Sequence, residues 1–121
     1  MKDYIKLIKN EKEGSVSVRF EIKQDKIAAI GEKIKAINGA AAMTGSNWEA
    51  LLEFYLDEKH PEISGGMGAN STPTTYKAYY KLTPANEKRA EKLAEIIEGL
   101  IENESKLYDL VKNNADDIEW D

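Results

Sequence analysis

Few side chains in this sequence could do covalent chemistry. His60 is the only histidine, and there is no cysteine. A serine or threonine nucleophile needs a base beside it, so only His60 or a lysine with a perturbed pKa could activate one. His60 precedes Pro61 at a predicted helix end, where a basic side chain complements the negative end of the helix dipole. We therefore interpret His60 as structural and expect no catalytic residue and no enzyme activity.

The sequence also gives no indication of a metal or cofactor site. The absence of cysteine excludes thiolate ligands and disulfides. Carboxylate pairs occur, but none has a spacing that favours metal binding or glycoside cleavage over a solvated helix face. The glycine-rich segment 64–74 lacks the preceding strand, the following lysine and the helix that a phosphate-binding loop requires. We expect no metal and no cofactor, and we predict that this segment is a mobile loop that does not pack.

Acidic residues gather in two places that could bind a protein partner. Residues 102–121 hold seven acids and two lysines, whereas the rest of the chain is neutral, so the net charge of −5 originates there. The first candidate set lies in an acidic tail, residues 115–121, and consists of Asp116, Asp117, Glu119, Trp120 and Asp121. The second is Glu49, Glu53 and Asp57, like charges at successive i+4 positions, which cost a helix stability. For both sets the alternative is an ordinary solvated acidic face.

The large aromatic residues allow more than one interpretation. Trp120 stands in a polar tail, so it either packs back onto the fold or anchors a partner. Trp48 heads an apolar helix face and is expected in the core. Tyr76, Tyr79 and Tyr80 alternate along a predicted strand, so either Tyr79 or the other two point outward.

A central amphipathic helix is expected to position the second acidic set. We predict Ser46 as its N-cap, with Glu49 completing a capping box, and Pro61 as the residue that ends it. Its apolar positions recur with helical spacing at Trp48, Leu51, Leu52, Tyr55 and Leu56.

The remaining elements follow from hydrophobic periodicity. Residues 4–9 and 15–22 are predicted to form a β-hairpin, and residues 75–82 a third strand. Asp25 is the predicted cap of a helix whose apolar positions are Ile27, Ile30, Ile34 and Ile37. Thr83 is the predicted cap of a long helix that breaks near Asn103. We therefore expect an α+β fold, with a small antiparallel sheet of three or four strands and helices packed mainly on one face.

Length and charge narrow the possible functions. At 121 residues the chain is expected to form a single domain, 1–121. No apolar run reaches membrane-spanning length, and the N-terminus lacks the apolar region of a signal peptide, so we expect a cytoplasmic protein without membrane contact. An acidic chain is a poor candidate for nucleic-acid binding and a better one for binding a basic protein.

Residues 45–63 carry a resemblance to a known family. The pattern Gly45-x-x-Trp48-x-x-Leu51-Leu52, closed by Lys59-x-Pro61-Glu62-Ile63, resembles the immunity proteins of bacterial polymorphic toxin systems, specifically immunity protein family fifty-one. The order of elements extends the resemblance over residues 4–113.

The resemblance implies a small cytosolic protein that binds and neutralises one cognate toxin C-terminal domain. Such toxin domains are often basic nucleases, and the inhibitor would block the active or substrate-binding site. The competing interpretation is a cytosolic adaptor or regulatory protein-binding module unrelated to toxins, and the oligomeric state stays open. If the acidic tail is the contact surface, deletion of residues 115–121 should weaken toxin binding and leave the fold intact.

Overall fold

The computed structural model describes residues 2–120, which form one antiparallel sheet and five helices. The four strands are β1 (Ile5–Asn10), β2 (Ser15–Glu21), β3 (Gly68–Ala69) and β4 (Thr75–Lys81). The helices are α1 (Asp25–Ile37), α2 (Gly45–Lys59), α3 (Pro61–Ser64), α4 (Pro84–Glu102) and α5 (Glu104–Asn114). The strand order is β1-β2-β4-β3. The predicted α+β class is confirmed.

One face of the sheet forms the core with the helices. In β2 the alternation of Val16, Val18 and Phe20 leaves each at most 1% exposed, as predicted for a half-buried strand. Helices α2 and α4 pack on this face, and the ring of Trp48 contacts that of Phe20 edge-on at 5.0 Å. In β4, Tyr76 and Tyr80 face the core, so Tyr79 points outward. No helix within residues 2–120 is long and apolar enough to cross a membrane.

Helix α4 begins and ends where the sequence predicts. The hydroxyl of Thr83 accepts a hydrogen bond from the backbone N–H of Asn86 at 3.1 Å. Pro84 occupies the first turn, where a missing N–H costs nothing. Asn103 ends α4 and precedes α5, so the predicted break is confirmed.

The predicted start of α2 is wrong by two residues. Thr44 is the N-cap, and its hydroxyl accepts from the backbone N–H of Asn47 at 3.3 Å. The proposed capping box of Ser46 and Glu49 therefore does not form. The start is set by a tertiary contact, because Gly45 lies so close to the β3–β4 connection that a Cβ there would be 1.9 Å from the carbonyl oxygen of Thr72. Only glycine fits at this approach.

The expectation that segment 64–74 does not pack is also wrong. Gly68 and Ala69 form β3, in register with Tyr79 and Ala78 of β4. The backbone N–H of Asn70 extends this pairing by donating a hydrogen bond to the carbonyl oxygen of Lys77 at 2.9 Å. Small residues allow this close approach, since a Cβ at Gly68 would be 2.4 Å from the Tyr79 ring.

Two details of α1 also differ from the prediction. Asp25 is its first helical residue, and the N-cap position belongs to Gln24, whose side chain makes no capping bond. Ile27, Ile30 and Ile34 are buried, whereas Ile37 at the end of the helix is 40% exposed.

Candidate functional site: an acidic groove between α2 and the tail

A groove of about 580 Å³ runs between α2 and the segment that follows α5. We call it the acidic groove. Residues of these two elements line it: Ser46, Glu49, Ala50, Glu53, Phe54, Asp57, Asp117, Glu119 and Trp120.

Two neighbouring rows of α2 form the first wall of the acidic groove. Glu49, Glu53 and Asp57 follow one another at i+4 spacing, and the row Ser46, Ala50, Phe54 lies beside them at i+3. The apolar stripe that begins at Trp48 is buried in the core, which fixes the rotation of the helix. The carboxylates therefore stand on the outer side of α2, and Phe54 lies between them and the protein body as a half-buried apolar floor.

The tail forms the second wall because it turns back after α5. The backbone amides of Asp117 and Ile118 donate to the carbonyl oxygen of Asn114 at 2.9 and 3.1 Å. Ile118 is only 4% exposed and belongs to the hydrophobic core. Trp120 is half-buried and packs against the same core. With these two side chains directed inward, the carboxylates of Asp117 and Glu119 line the groove.

The five carboxylates of the acidic groove are electrostatically unbalanced. Within residues 2–120 none of them is in an ion pair. Carboxylates elsewhere do find cations: Glu102 contacts both Lys2 and Lys26, and hydrogen bonds from these two ammonium groups lower the pKa of its carboxyl group. Like charges at helical spacing repel by a few tenths of a kcal/mol per pair, so a cationic partner would relieve this repulsion.

A second depression extends the acidic groove toward the C-terminal end of α2. It has a volume of about 610 Å³ and shares Phe54, Asp57 and Asp117 with the first. Its other lining residues are Tyr55, Glu58, Lys59, Leu110 and Asn114. The two depressions therefore lie next to each other along α2, with two carboxylates at their shared boundary.

Comparison with models of protein families matches residues 5–116 to Immunity protein 51. The chain belongs to the Immunity protein 51 family. The match spans nearly the whole chain and includes the α2 wall of the acidic groove, whereas Asp117, Glu119 and Trp120 follow its last matched residue. Comparisons with curated proteins and with solved structures gave no match. Membership of the family identifies the chain as an immunity protein and implies a protein partner.

The structure of this immunity protein brings the two acidic sets together, although the sequence suggested them separately. Glu49 is half-buried, and Glu53, Asp57, Asp117 and Glu119 are exposed along the groove. The interpretation that Trp120 packs back onto the fold is confirmed, because its ring packs against the core. Trp120 also lines the groove, and its role as an anchor for a partner stays a prediction.

One of the sequence candidates does not line the groove, one is not described by the structure, and three groove residues were missed. Asp116 is exposed but does not line the groove, and Asp121 lies outside the described residues. Ser46, Ala50 and Phe54 were not predicted as groove residues, because Ser46 was assigned only a capping role and only the inward apolar stripe of α2 was considered. Their i+4 spacing beside the acidic row is a signal that could have found them.

His60 takes no part in the acidic groove of this immunity protein. Its backbone N–H donates to the carbonyl oxygen of Leu56 at 2.7 Å and closes α2. Its Nδ1 lies 3.6 Å from a carboxylate oxygen of Glu62, and the ring contacts that of Tyr55. Within residues 2–120 no three carboxylate or imidazole groups are placed to hold a metal ion.

Proposed function

We propose that this immunity protein binds and neutralises the C-terminal toxin domain of a bacterial polymorphic toxin in the cytoplasm, and that the acidic groove is its contact surface. The observation that carries the proposal is the arrangement of five carboxylates around Phe54 and Trp120, none of them in an ion pair among the described residues. Protein interfaces commonly have an aromatic or apolar centre and a polar rim. The groove offers this composition with a uniform negative sign.

The complementary toxin surface is basic, with an apolar side chain that rests on Phe54 and Trp120. Toxins that cleave nucleic acid bind phosphates through lysine and arginine side chains, and the groove would cover such a site. The inhibitor would then block the substrate by occupying its binding surface. Opposite charges would also speed the encounter, by an amount that falls as salt concentration rises.

In this proposal residues 1–121 act as one domain and the acidic tail is part of its binding surface. Ile118 joins the tail to the core, so both walls of the groove are anchored on the same hydrophobic core. Glu49, Glu53, Asp57, Asp117, Glu119 and Trp120 contact the toxin directly. Asp116 is exposed and adds negative charge near this surface, whereas Asp121 lies outside the described residues and stays a prediction from the sequence.

Co-expression tests the function. The gene immediately upstream would be induced in a susceptible bacterium with and without this immunity protein, and growth would be recorded. We expect the upstream gene to be toxic and the immunity protein to restore growth. Toxicity that the protein does not relieve, or no toxicity at all, would favour an adaptor unrelated to toxins.

Charge reversal tests the surface. The double variant Glu53→Lys, Asp57→Lys should lower the association rate at least tenfold at low salt and weaken protection, because it removes most of the negative charge of the groove and places two cations against a basic partner. Glu91→Lys combined with Glu95→Lys is the matched control, since both are exposed residues of α4 that do not line the groove and the change in net charge is the same. Circular dichroism would establish that each variant folds. Equal association rates for the double variant and the control would exclude the groove but not the immunity function.

A further inference from the structure

The face of the sheet opposite the helices carries a row of cations. Lys6 of β1 lies beside Arg19 of β2, and Arg19 lies beside Lys77 of β4. Lys81 adds a fourth cation at the end of β4. Among the described strand residues on this face, Glu21 at the end of β2 is the single acidic residue. Within residues 2–120 these four cations make no ion pair. This cationic face contrasts with a chain whose net charge is −5.

The cationic row costs the isolated protein stability. Like charges directly opposite one another on neighbouring strands repel, and Arg19 has such a neighbour on both sides. In addition, the Nε atom of Arg19 is buried without a hydrogen-bond partner among the described residues. An unsatisfied buried donor is unfavourable. A negatively charged group bound over Arg19 would remove much of the repulsion.

A less polar row crosses the sheet next to the cations. Ile8, Ser17 and Tyr79 are in register on β1, β2 and β4. Tyr79 is 41% exposed, and its ring lies over Gly68, where a Cβ would come within 2.4 Å of it. The backbone of β3 therefore holds the ring in place from one side. A rigid, exposed tyrosine between cations is a typical anchor of a protein interface.

We infer that this sheet face is a second docking surface, and that it binds an acidic protein segment whose carboxylates flank an apolar side chain. The carboxylates would contact Lys6, Arg19 and Lys77, and the apolar side chain would rest on Tyr79. The face lies on the opposite side of the sheet from the helices that form the acidic groove, so the protein could hold a basic and an acidic partner at once. The inference does not depend on the identity of the partner in the groove.

Other occupants fit the face less well. A second copy docked through the same face would bring four cations against four. The cationic row spans three strands, or about 10 Å, which reaches few phosphates of a nucleic acid, and the net charge of −5 repels the rest. A protein segment needs only local complementarity.

The test uses two peptides of equal length, one of aspartate and glutamate around a central leucine and one of lysines around a central leucine. Each would be titrated into the ¹⁵N-labelled protein at low salt, with oligothymidylate as a third probe. We expect the acidic peptide to shift the backbone amide signals of Lys6, Arg19, Lys77 and Tyr79, and to bind more tightly than the oligonucleotide. Lys77→Glu should weaken its binding about tenfold, whereas Lys88→Glu, on exposed α4 surface, should change it less than twofold.

Several results would overturn the inference. These are the absence of shifts on this face, equal weakening by both lysine variants, and tighter binding of the oligonucleotide. Sedimentation of the peptide-free protein adds a fourth: salt-sensitive self-association that Lys77→Glu abolishes would mean that a second copy covers the face.

Discussion

The indole N–H of Trp120 donates a hydrogen bond to the carbonyl oxygen of Ala115 at 3.0 Å. This bond closes a turn within the tail, directly after the end of α5. Because the ring is held at one edge by the backbone and packs against the core, it presents a fixed surface to the acidic groove. The sequence left open whether Trp120 packs on the fold or extends toward a partner. In the structure, the fold determines the position of its side chain.

The tail should contribute measurably to stability through Ile118. Ile118→Ala removes a side chain that is 4% exposed, and we expect it to lower the free energy of unfolding by about 2–4 kcal/mol. Trp120→Phe keeps an aromatic ring but loses the bond to Ala115, which should cost about 1 kcal/mol. Urea titration measures both. A deletion of residues 115–121 would mix these losses of stability with any effect on binding, so the single variants are the cleaner test of the tail. That the fold stays intact after this deletion remains a prediction. No loss in Ile118→Ala would mean that the tail is detached in solution.

Two glycine-to-alanine substitutions should have opposite effects. Gly45→Ala places a Cβ 1.9 Å from the carbonyl oxygen of Thr72, so we expect a loss of more than about 3 kcal/mol, as for severe overpacking. Gly99→Ala lies within α4 with no neighbour inside 4 Å, and it should stabilise by about 0.5–1 kcal/mol through helix propensity. Thermal unfolding of both variants checks the pair. A tolerated alanine at residue 45 would contradict the close approach of α2 to the β3–β4 connection.

Removal of the hydroxyl group should change the free energy of unfolding differently at two buried tyrosines. The hydroxyl of Tyr80 donates to the carbonyl oxygen of Ile63 at 2.6 Å, so Tyr80→Phe should cost about 1–2 kcal/mol. The hydroxyl of Tyr76 is buried without a hydrogen-bond partner among the described residues. Tyr76→Phe should therefore be neutral or stabilising by up to about 1 kcal/mol. Urea titration compares them, and equal losses would indicate that the Tyr76 hydroxyl has a partner in solution, such as a bound water.

Because of the same two tyrosines, the free energy of unfolding should decrease at alkaline pH. Burial raises the pKa of Tyr80 to about 12 and also raises the pKa of Tyr76, whereas a tyrosine in the unfolded chain has a pKa of about 10. Because the folded state holds the proton more tightly, its stability is fully present below pH 10 and falls as pH rises from 10 to 12. Urea midpoints across this range, with phenolate absorbance at 295 nm, test it. Tyr80→Phe should reduce the slope, and a flat profile would be inconsistent with burial of these hydroxyls.

The sequence predicts those features whose cause is local. Val16, Val18 and Phe20 alternate because a half-buried strand requires it, and Thr83 with Pro84 determines a helix start by itself. The start of α2 and the formation of β3 could not be predicted, because both depend on close approach between Gly45, Gly68 and β4. The presence of a glycine in the sequence does not indicate which distant part of the chain will pack against it.

The candidate site shows the same division. Each wall of the acidic groove was visible as a cluster of acids, but their convergence depends on the path of α5 and on the burial of Ile118. That burial could not be inferred from one isoleucine in an acidic segment. Phe54 was missed for a related reason. It lies beside the inward stripe of α2 and becomes the floor of a groove only because the tail forms a second wall next to it.

The two walls of the acidic groove come from distant parts of the chain and are therefore synthesised at different times. Helix α2 leaves the ribosome long before Asp117, Glu119 and Trp120. A nascent chain that has folded its sheet and α2 still lacks the second wall, so its acidic helix faces solvent alone. The complete groove exists only in chains that have been extended past Trp120, so the proposed binding surface is completed after the sheet and helices α1 to α5 have been synthesised.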